Sequence, residues 1–415
     1  MTVPKLRFPE FWDAGEWEET KLGNIGEFTG GGTPSRSNGA YWDGNIPWIS
    51  SSDISEESIY EINISRFITE KAVQESATKL VPENSILLIS RVGVGKLAIT
   101  VKSVCTSQDF TNFTPTKGNL IFLAYFLKLS KNNILLLNQG TSIKGFTKDD
   151  IANLKVGLPY IKEQQKIADC LSSIDDRITA ETQKLDTLKA HKKGLMQQLF
   201  PAEGETLPKL RFSQFRDVGE WINTSLGKVS KITSGGTPSR SNKDFWKGNI
   251  PWVTTSLIDF NTIFNTNEYI SEVGLKGSSA KLFPKNTILM AMYGQGKTRG
   301  KVAILGIEAT TNQACAAILL NKELDINFVF QNLASRYDEI RELSNRGGQE
   351  NLSAGLIEAI YFSYPIDKSE QQKIANCLSS LDELITAQTQ KIDTIKTHKK
   401  GLMQQLFPAL DEVVG

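Results

Sequence analysis

The octet GGTPSRSN at residues 31–38 recurs letter for letter at 235–242. Its composition is turn chemistry: glycines permit positive φ, Pro34 and Pro238 fix the chain, and the hydroxyls of Thr33, Ser35, Thr237 and Ser239 can bond nearby backbone. Arg36, Ser37 and Asn38, with their counterparts Arg240, Ser241 and Asn242, add donors suited to phosphates or base edges. Each copy runs on to an IPW triplet, in which Trp48 and Trp252 read as core anchors rather than stacking platforms. The polar runs just beyond supply further candidate contacts, Ser51 and Ser52 in the first copy and Thr254, Thr255 and Ser256 in the second.

A second stretch imitates a nucleotide site. AMYGQGKT at 291–298 has the spacing of a phosphate-binding loop, yet a true one opens into a helix whose N-terminus faces the phosphates. Here the strand-like RGKVAIL follows, and the first copy, RVGVGKLA, has Leu97 where a magnesium-binding hydroxyl is required. The better reading is a glycine-rich hairpin from which Tyr293, Gln295, Lys297 and Arg299 project, matching Arg91 and Lys96 in the first copy. Lys144 and Arg346 complete the candidate contacts, all of them read as DNA-binding.

Other chemistry is scarce. Cys105, Cys170, Cys315 and Cys377 lie far apart without C-x-x-C spacing and are expected to be buried, reduced thiols. His191 and His398 sit at matching places in a duplicated segment, which leaves little for histidine catalysis or a metal cluster, and no catalytic residue, metal or cofactor is expected. The longest apolar stretch, LIFLAYFLKL at 120–129, falls well short of the roughly 20 residues a bilayer needs. With no apolar core in MTVPKLRFPEFW, a cytoplasmic protein without membrane contact is expected. The net charge is only +1, but its distribution is uneven: eight basic residues face a single acid, Asp109, between Asn84 and Lys148, and six face none from Val273 to Ile307.

The elements that must position these residues come in duplicate. PKLRF at 4–8 and IPW at 46–48 return at 208–212 and 250–252 with an offset of 204, while the hairpin stretches drift to 202 and 205, so loops have gained and lost residues. The segment 163–202 returns at 370–409 with 32 of 40 positions identical. A period near 205 is far too long for a solenoid, so each copy is a whole domain with an attached element. SILLIS and TILMAM read as buried strands, and 121–137 and 326–343 as helices, giving a mixed α/β domain. Beyond it Ile167, Leu171, Ile174, Ile178, Leu185, Leu188, Leu195 and Leu199 form a heptad seam, with Glu181 and Lys192 in two of its places. The second copy keeps the seam, and the two helices are expected to pair as an antiparallel coiled coil with pseudo-twofold symmetry.

Two diverged domains, each opening with L-G, G-G-T-P-S and an I-P-W turn and closing on EQQKIA-x-CLSS and a helix ending GLMQQLFP, resemble the DNA-specificity subunit of type I restriction-modification systems over essentially the whole chain. The resemblance implies target-recognition domains at 1–160 and 208–366, each reading one half of a split double-stranded DNA sequence, and conserved spacer helices at 161–207 and 367–415 that set the gap. It implies a subunit without a catalytic site that docks two methyltransferase subunits, which methylate adenine N6 with S-adenosylmethionine, and is joined by ATP-driven restriction subunits. The residues alone reach as far as a two-headed, basic-loop binder on a coiled-coil ruler. A protein–protein adaptor is the other class they leave open.

Overall fold

The computed structural model describes residues 3–136, 145–202, 204–294, 297–343 and 351–408. The chain divides into two compact units, Met1–Thr182 with Gln390–Gly415, and Gln183–Thr389. Each is a mixed α/β domain built on the same plan.

In unit 1 a four-stranded antiparallel sheet runs in the order 26–30, 111–115, 85–88, 97–100. A second four-stranded sheet is ordered 67–68, 46–49, 104–106, 80–81, with the IPW strand parallel to 104–106. The four residues at the centre of SILLIS, Ile86 to Ile89, are all apolar because both faces of their strand are covered. Ile86 and Leu88 join the core under the helix Leu120–Leu129, and Leu87 and Ile89 join a separate cluster with Val104 and Phe110. Unit 2 repeats this with Ile288 and Met290 on one face and Leu289 and Ala291 on the other. Its first sheet gains a fifth strand, 262–263, parallel to 302–305.

The expected helices at 121–137 and 326–343 are each broken in two among the described residues: Leu120–Leu129 then Lys131–Leu136, and Ile326–Ser335 then Tyr337–Glu342. The Ser130 hydroxyl donates to Phe126 O at 2.8 Å, a local bond that competes with helix continuation. At the second break the Arg336 guanidinium reaches out to Tyr361 O and Glu339.

Two long helices, Ile161–Leu199 and Lys368–Leu406, span 39 residues each, about 58 Å at 1.5 Å per residue. Each contributes one half to each unit. In unit 1 Asp175 pairs with Lys399 and Glu181 with Lys391, so one helix advances as the other retreats, and the halves are antiparallel. In unit 2 Lys192 pairs with Asp382, while Leu199 shares a core cluster with Ile374 and Leu378, again antiparallel. Every expected seam position is buried or half-buried, Glu181 and Lys192 included.

The EQQ that opens the repeated helix is a staple between that helix and its domain. Glu163 is fully buried and receives Arg7 through two bonds of 2.8 Å, while Gln164 donates to Pro159 O at 2.7 Å and accepts from Asn119 N at 2.8 Å. Glu370 and Gln371 make the same contacts with Arg211, Pro365 and the Asp325 backbone. The PKLRF and EQQKIA repeats are thus two sides of one buried, bidentate ion pair.

Lys128, on the buried helix of unit 1, donates to Glu57 O. Burial, reinforced by the charge of Lys399, pushes its pKa down to about 8. The unfolded chain therefore holds this proton more tightly, and the charged form opposes folding below pH 8. Stability of unit 1 is expected to rise as pH climbs from about 8 towards the unfolded value, by on the order of 2 to 3 kcal/mol from this group. Lys128→Met should flatten that rise and stabilise unit 1 at pH 7, read by urea denaturation at both ends of the window.

Candidate nucleic-acid interface

The octet of each unit is fixed from below by tryptophan. Trp48 Nε1 donates to Gly32 O and Trp252 Nε1 to Gly236 O, both at 3.0 Å, and both indoles are 2% exposed, as core anchors should be. A second indole packs edge-on at 5.1 Å (Trp42) and 4.9 Å (Trp246), donating to Ser35 O and Ser239 O at 3.1 Å. The octet glycines do not serve positive φ, contrary to expectation. A Cβ at Gly31 would run into Ser107 O, at Gly32 into Ala77 O, and at Gly235 into Thr311 O, so they are glycines because neighbouring backbone lies against them. Positive φ belongs to the hairpin instead, at Gly93 (104°), Gly95 (86°) and Gly294 (140°). Val92, 67% exposed at φ 45°, is a strained β-branched residue at the same hairpin tip.

The loops converge on one turn that sequence reasoning missed. Gln108 accepts a hydrogen bond from the Thr33 hydroxyl, Ser107 N donates to Ile49 O at 2.8 Å just before the Ser50–Asp53 run, and Asp109 O accepts from Ser90 N at 2.7 Å and Arg91 N at 3.2 Å. The turn thus joins octet, post-IPW loop and hairpin. In unit 2 Gln313 accepts from Thr237 at 2.5 Å, Asn312 N donates to Val253 O at 3.0 Å, and Met292 N to Ala314 O at 2.8 Å. Both glutamines are exposed. The signal was present: TSQ at 106–108 and TNQ at 311–313 share a T-x-Q at an offset of 205.

Ser35, Arg36, Ser37, Arg240, Ser241, Ser52, Ser256, Arg91, Tyr293 and Lys297 are exposed; Thr33, Thr237, Ser51, Thr254, Thr255 and Lys96 are half-buried. Ser35 and Ser37 bond each other at 2.8 Å, as do Ser239 and Ser241. Asn38 and Asn242 spend their side-chain oxygens capping the next turn, accepting from Ala40 N and Asp244 N. Arg299 does not project. It is 6% exposed and donates to Arg341 O at 3.1 Å, because the chain after the hairpin tip folds back on the helix Tyr337–Glu342. Lys144, Gln295 and Arg346 lie outside the described residues. Strand Ile288–Ala291 pairs antiparallel with Val302–Leu305, and the first copy pairs 85–88 with 97–100, so AMYGQGKT spans a hairpin rather than leading into a helix.

Around the first hairpin Lys96, Lys128 and Lys131 hold the exposed Glu56 carboxyl below its usual range, Lys131 most strongly through a direct ion pair. The four cysteines are free; Cys105 and Cys315 are buried, and burial pushes the Cys315 thiol up to about 12, which makes it inert. Among the described residues no helix is long and apolar enough to cross a membrane, and no group of three His, Cys, Asp or Glu could hold a metal.

Two mixed α/β units, each with a loop cluster at the end of an IPW strand and antiparallel halves of the two long helices, define a protein with two recognition domains of one design. A family model described as the type I restriction modification DNA specificity domain matches twice, over residues 14–190 and 219–397, and the chain belongs to this family. Each match takes in one globular part and most of the long helix that follows it. The type I restriction enzyme MjaIX specificity subunit of Methanocaldococcus jannaschii is 28% identical over 312 residues, 73% of this chain and 72% of that one. The MjaVIII specificity subunit of the same organism is 25% identical over 417 residues, 97% of this chain and 93% of its own. The crystal structure of the S subunit of a type I restriction-modification system from M. genitalium shares the fold, with a TM-score of 0.60 at 16% identity, covering 98% of this chain and 100% of that one.

Proposed function

We propose that this chain is the non-catalytic, sequence-recognising subunit of a type I restriction-modification complex, each unit reading one half of a bipartite DNA site. The observation that carries the reading is the duplicated loop cluster. Octet and T-x-Q turn are held by the same tryptophan and glutamine bonds in both units, and corresponding backbone bonds tie the post-IPW run and the hairpin to that turn. The side chains they present differ, Arg91 and Val92 in one hairpin and Tyr293 and Lys297 in the other. One scaffold with two sets of contacts suits two different half-sites. The domains at 1–160 and 208–366 are the readers, and the helices from 161 and from 367 set the spacing between half-sites. They dock two methyltransferase subunits, and restriction subunits join that complex; methyl transfer and cleavage are the partners' chemistry.

The test is to co-express the chain with its methyltransferase subunit and map N6-methyladenine in the host genome. A split, asymmetric motif is expected. Replacing residues 208–366 by the same region of a related subunit should change one half of the motif and leave the other intact; changes in both halves would overturn the modular reading. Affinity for DNA should fall steeply with salt, since each neutralised phosphate releases counterions. A flat salt dependence would favour an adaptor for protein partners.

A further inference from the structure

The two octets are identical in sequence and in their tryptophan bonds, yet their arginines end in different places. In unit 2 Glu268 receives Arg240 through two bonds, Nη1 to Oε1 and Nη2 to Oε2, the latter at 3.2 Å. The same guanidinium lies 3.7 Å from the Trp246 ring and 4.9 Å from Trp252. Bidentate pairing and stacking together fix it.

The position that matches Glu268 in unit 1 is Arg66. Ile68 pairs with Ile46 on the strand beside IPW as Ile270 pairs with Ile250, and two residues upstream of those strand residues stand Arg66 and Glu268. Arg66 itself occupies the place over the buried indole, 4.9 Å from the Trp48 ring. It is anchored there by the Asp53 carboxylate and by Ser50 Oγ at 2.5 Å, and unit 2 has Leu257 where unit 1 has Asp53. Arg36 therefore finds its acid replaced by a like charge and the place over the buried indole already taken by Arg66, and it stands exposed on the octet.

We infer that Arg36 neutralises a DNA phosphate while Arg240 is an internal clamp, so that the two identical octets engage DNA unequally; this rests on the DNA-recognition reading above. A phosphate is the fitting target because an octet shared by both units cannot tell two half-sites apart, whereas every duplex offers the same backbone. Glu268 and Arg66 are the residues that decide which octet keeps a free guanidinium.

The experiment measures binding of the full chain, purified with its methyltransferase subunit, to a duplex carrying the mapped methylation motif across a salt series. Arg36→Ala should reduce the slope of log affinity against log salt by about 0.9, the value of one phosphate contact, with a loss of about tenfold at low salt. Arg240→Ala should keep the wild-type slope and lower the melting temperature instead, since it removes a clamp. Glu268→Gln should loosen Arg240 and steepen the slope. Equal slope losses in Arg36→Ala and Arg240→Ala, or an unchanged slope in Arg36→Ala, would overturn the inference while leaving DNA recognition standing. Wild-type complex without salt-dependent binding to the duplex would overturn both.

Discussion

Asp175→Ala is expected to destabilise unit 1 by about 3 to 5 kcal/mol, one of the largest losses any single substitution in this chain should cause. Asp175 accepts Lys399 Nζ on both oxygens at 2.5 Å and the Tyr125 hydroxyl at 2.6 Å, and the ammonium lies 4.7 Å from the Tyr125 ring. The two ionic side chains are only 8% and 13% exposed. Burial holds the Lys399 pKa below its usual value even with this carboxylate beside it, so desolvation already outweighs pairing. Without Asp175 the charge is buried and unpaired. The variant should recover stability as pH rises and Lys399 loses its proton, because a lysine whose folded pKa is depressed opposes folding most below that value. The double replacement Asp175→Leu with Lys399→Met should cost far less than Asp175→Ala, since paired removal leaves no buried unpaired charge and only takes one acceptor from the Tyr125 hydroxyl. The counterpart in unit 2, Asp382 with Lys192 at 2.5 Å and Gln331 at 2.7 Å, is more open, with Asp382 41% exposed. Asp382→Ala should therefore cost only about 1 to 2 kcal/mol. Urea denaturation at pH 7 and 9.5 checks both sites; equal losses would refute burial as the cause.

These pairs also mark what the sequence could and could not disclose. The heptad seam, the offset of 207 and the buried tryptophans were legible because each depends on local periodicity or on exact repetition. Lys192 could be seen to occupy a seam position, but its partner Asp382 lies 190 residues away and no local pattern points to it. The same holds at the loops. Arg240 and Arg36 are indistinguishable in their octets, and only the strand pairing that brings residue 268 or 66 alongside separates them. Arg299 read as a projecting cation because glycine-rich hairpins usually expose their tips; the fold-back onto 337–342 that buries it is tertiary. Gly31 and Gly235 are required by close backbone approach rather than by the positive φ that turn composition suggests, and such approach leaves no local trace in the sequence.

A chain ending at Leu207 should form a dimer that recognises an inverted repeat of the first half-site. Residues 1–182 do not complete unit 1, which also takes Leu402, Met403, Leu406 and Phe407 into its core. Phe407 sits 5.1 Å from Phe122 and 6.2 Å from Trp17, and Leu6 N donates to Gln405 O at 2.9 Å. The truncated chain lacks these residues but carries their duplicates, because KKGLMQQLFPA at 192–202 is identical to 399–409. Leu195, Met196, Leu199 and Phe200 of a second copy can fill the same places. Asp175 would then meet the second copy's Lys192 as it meets Lys399, and Glu181 would meet Lys184 as it meets Lys391. These ionic and apolar contacts are retained in register, and a true twofold axis follows. Each large side chain so buried contributes on the order of 1.5 to 3 kcal/mol, and symmetry counts it twice. Charged substitutions at Leu195 and Leu199 in the short chain should return a monomer without specific DNA binding. Light scattering on the short chain, followed by methylation mapping with the methyltransferase subunit, gives the answer. A stable monomer, or a motif that is not an inverted repeat, would refute the equivalence of 192–202 and 399–409 as completing segments of unit 1.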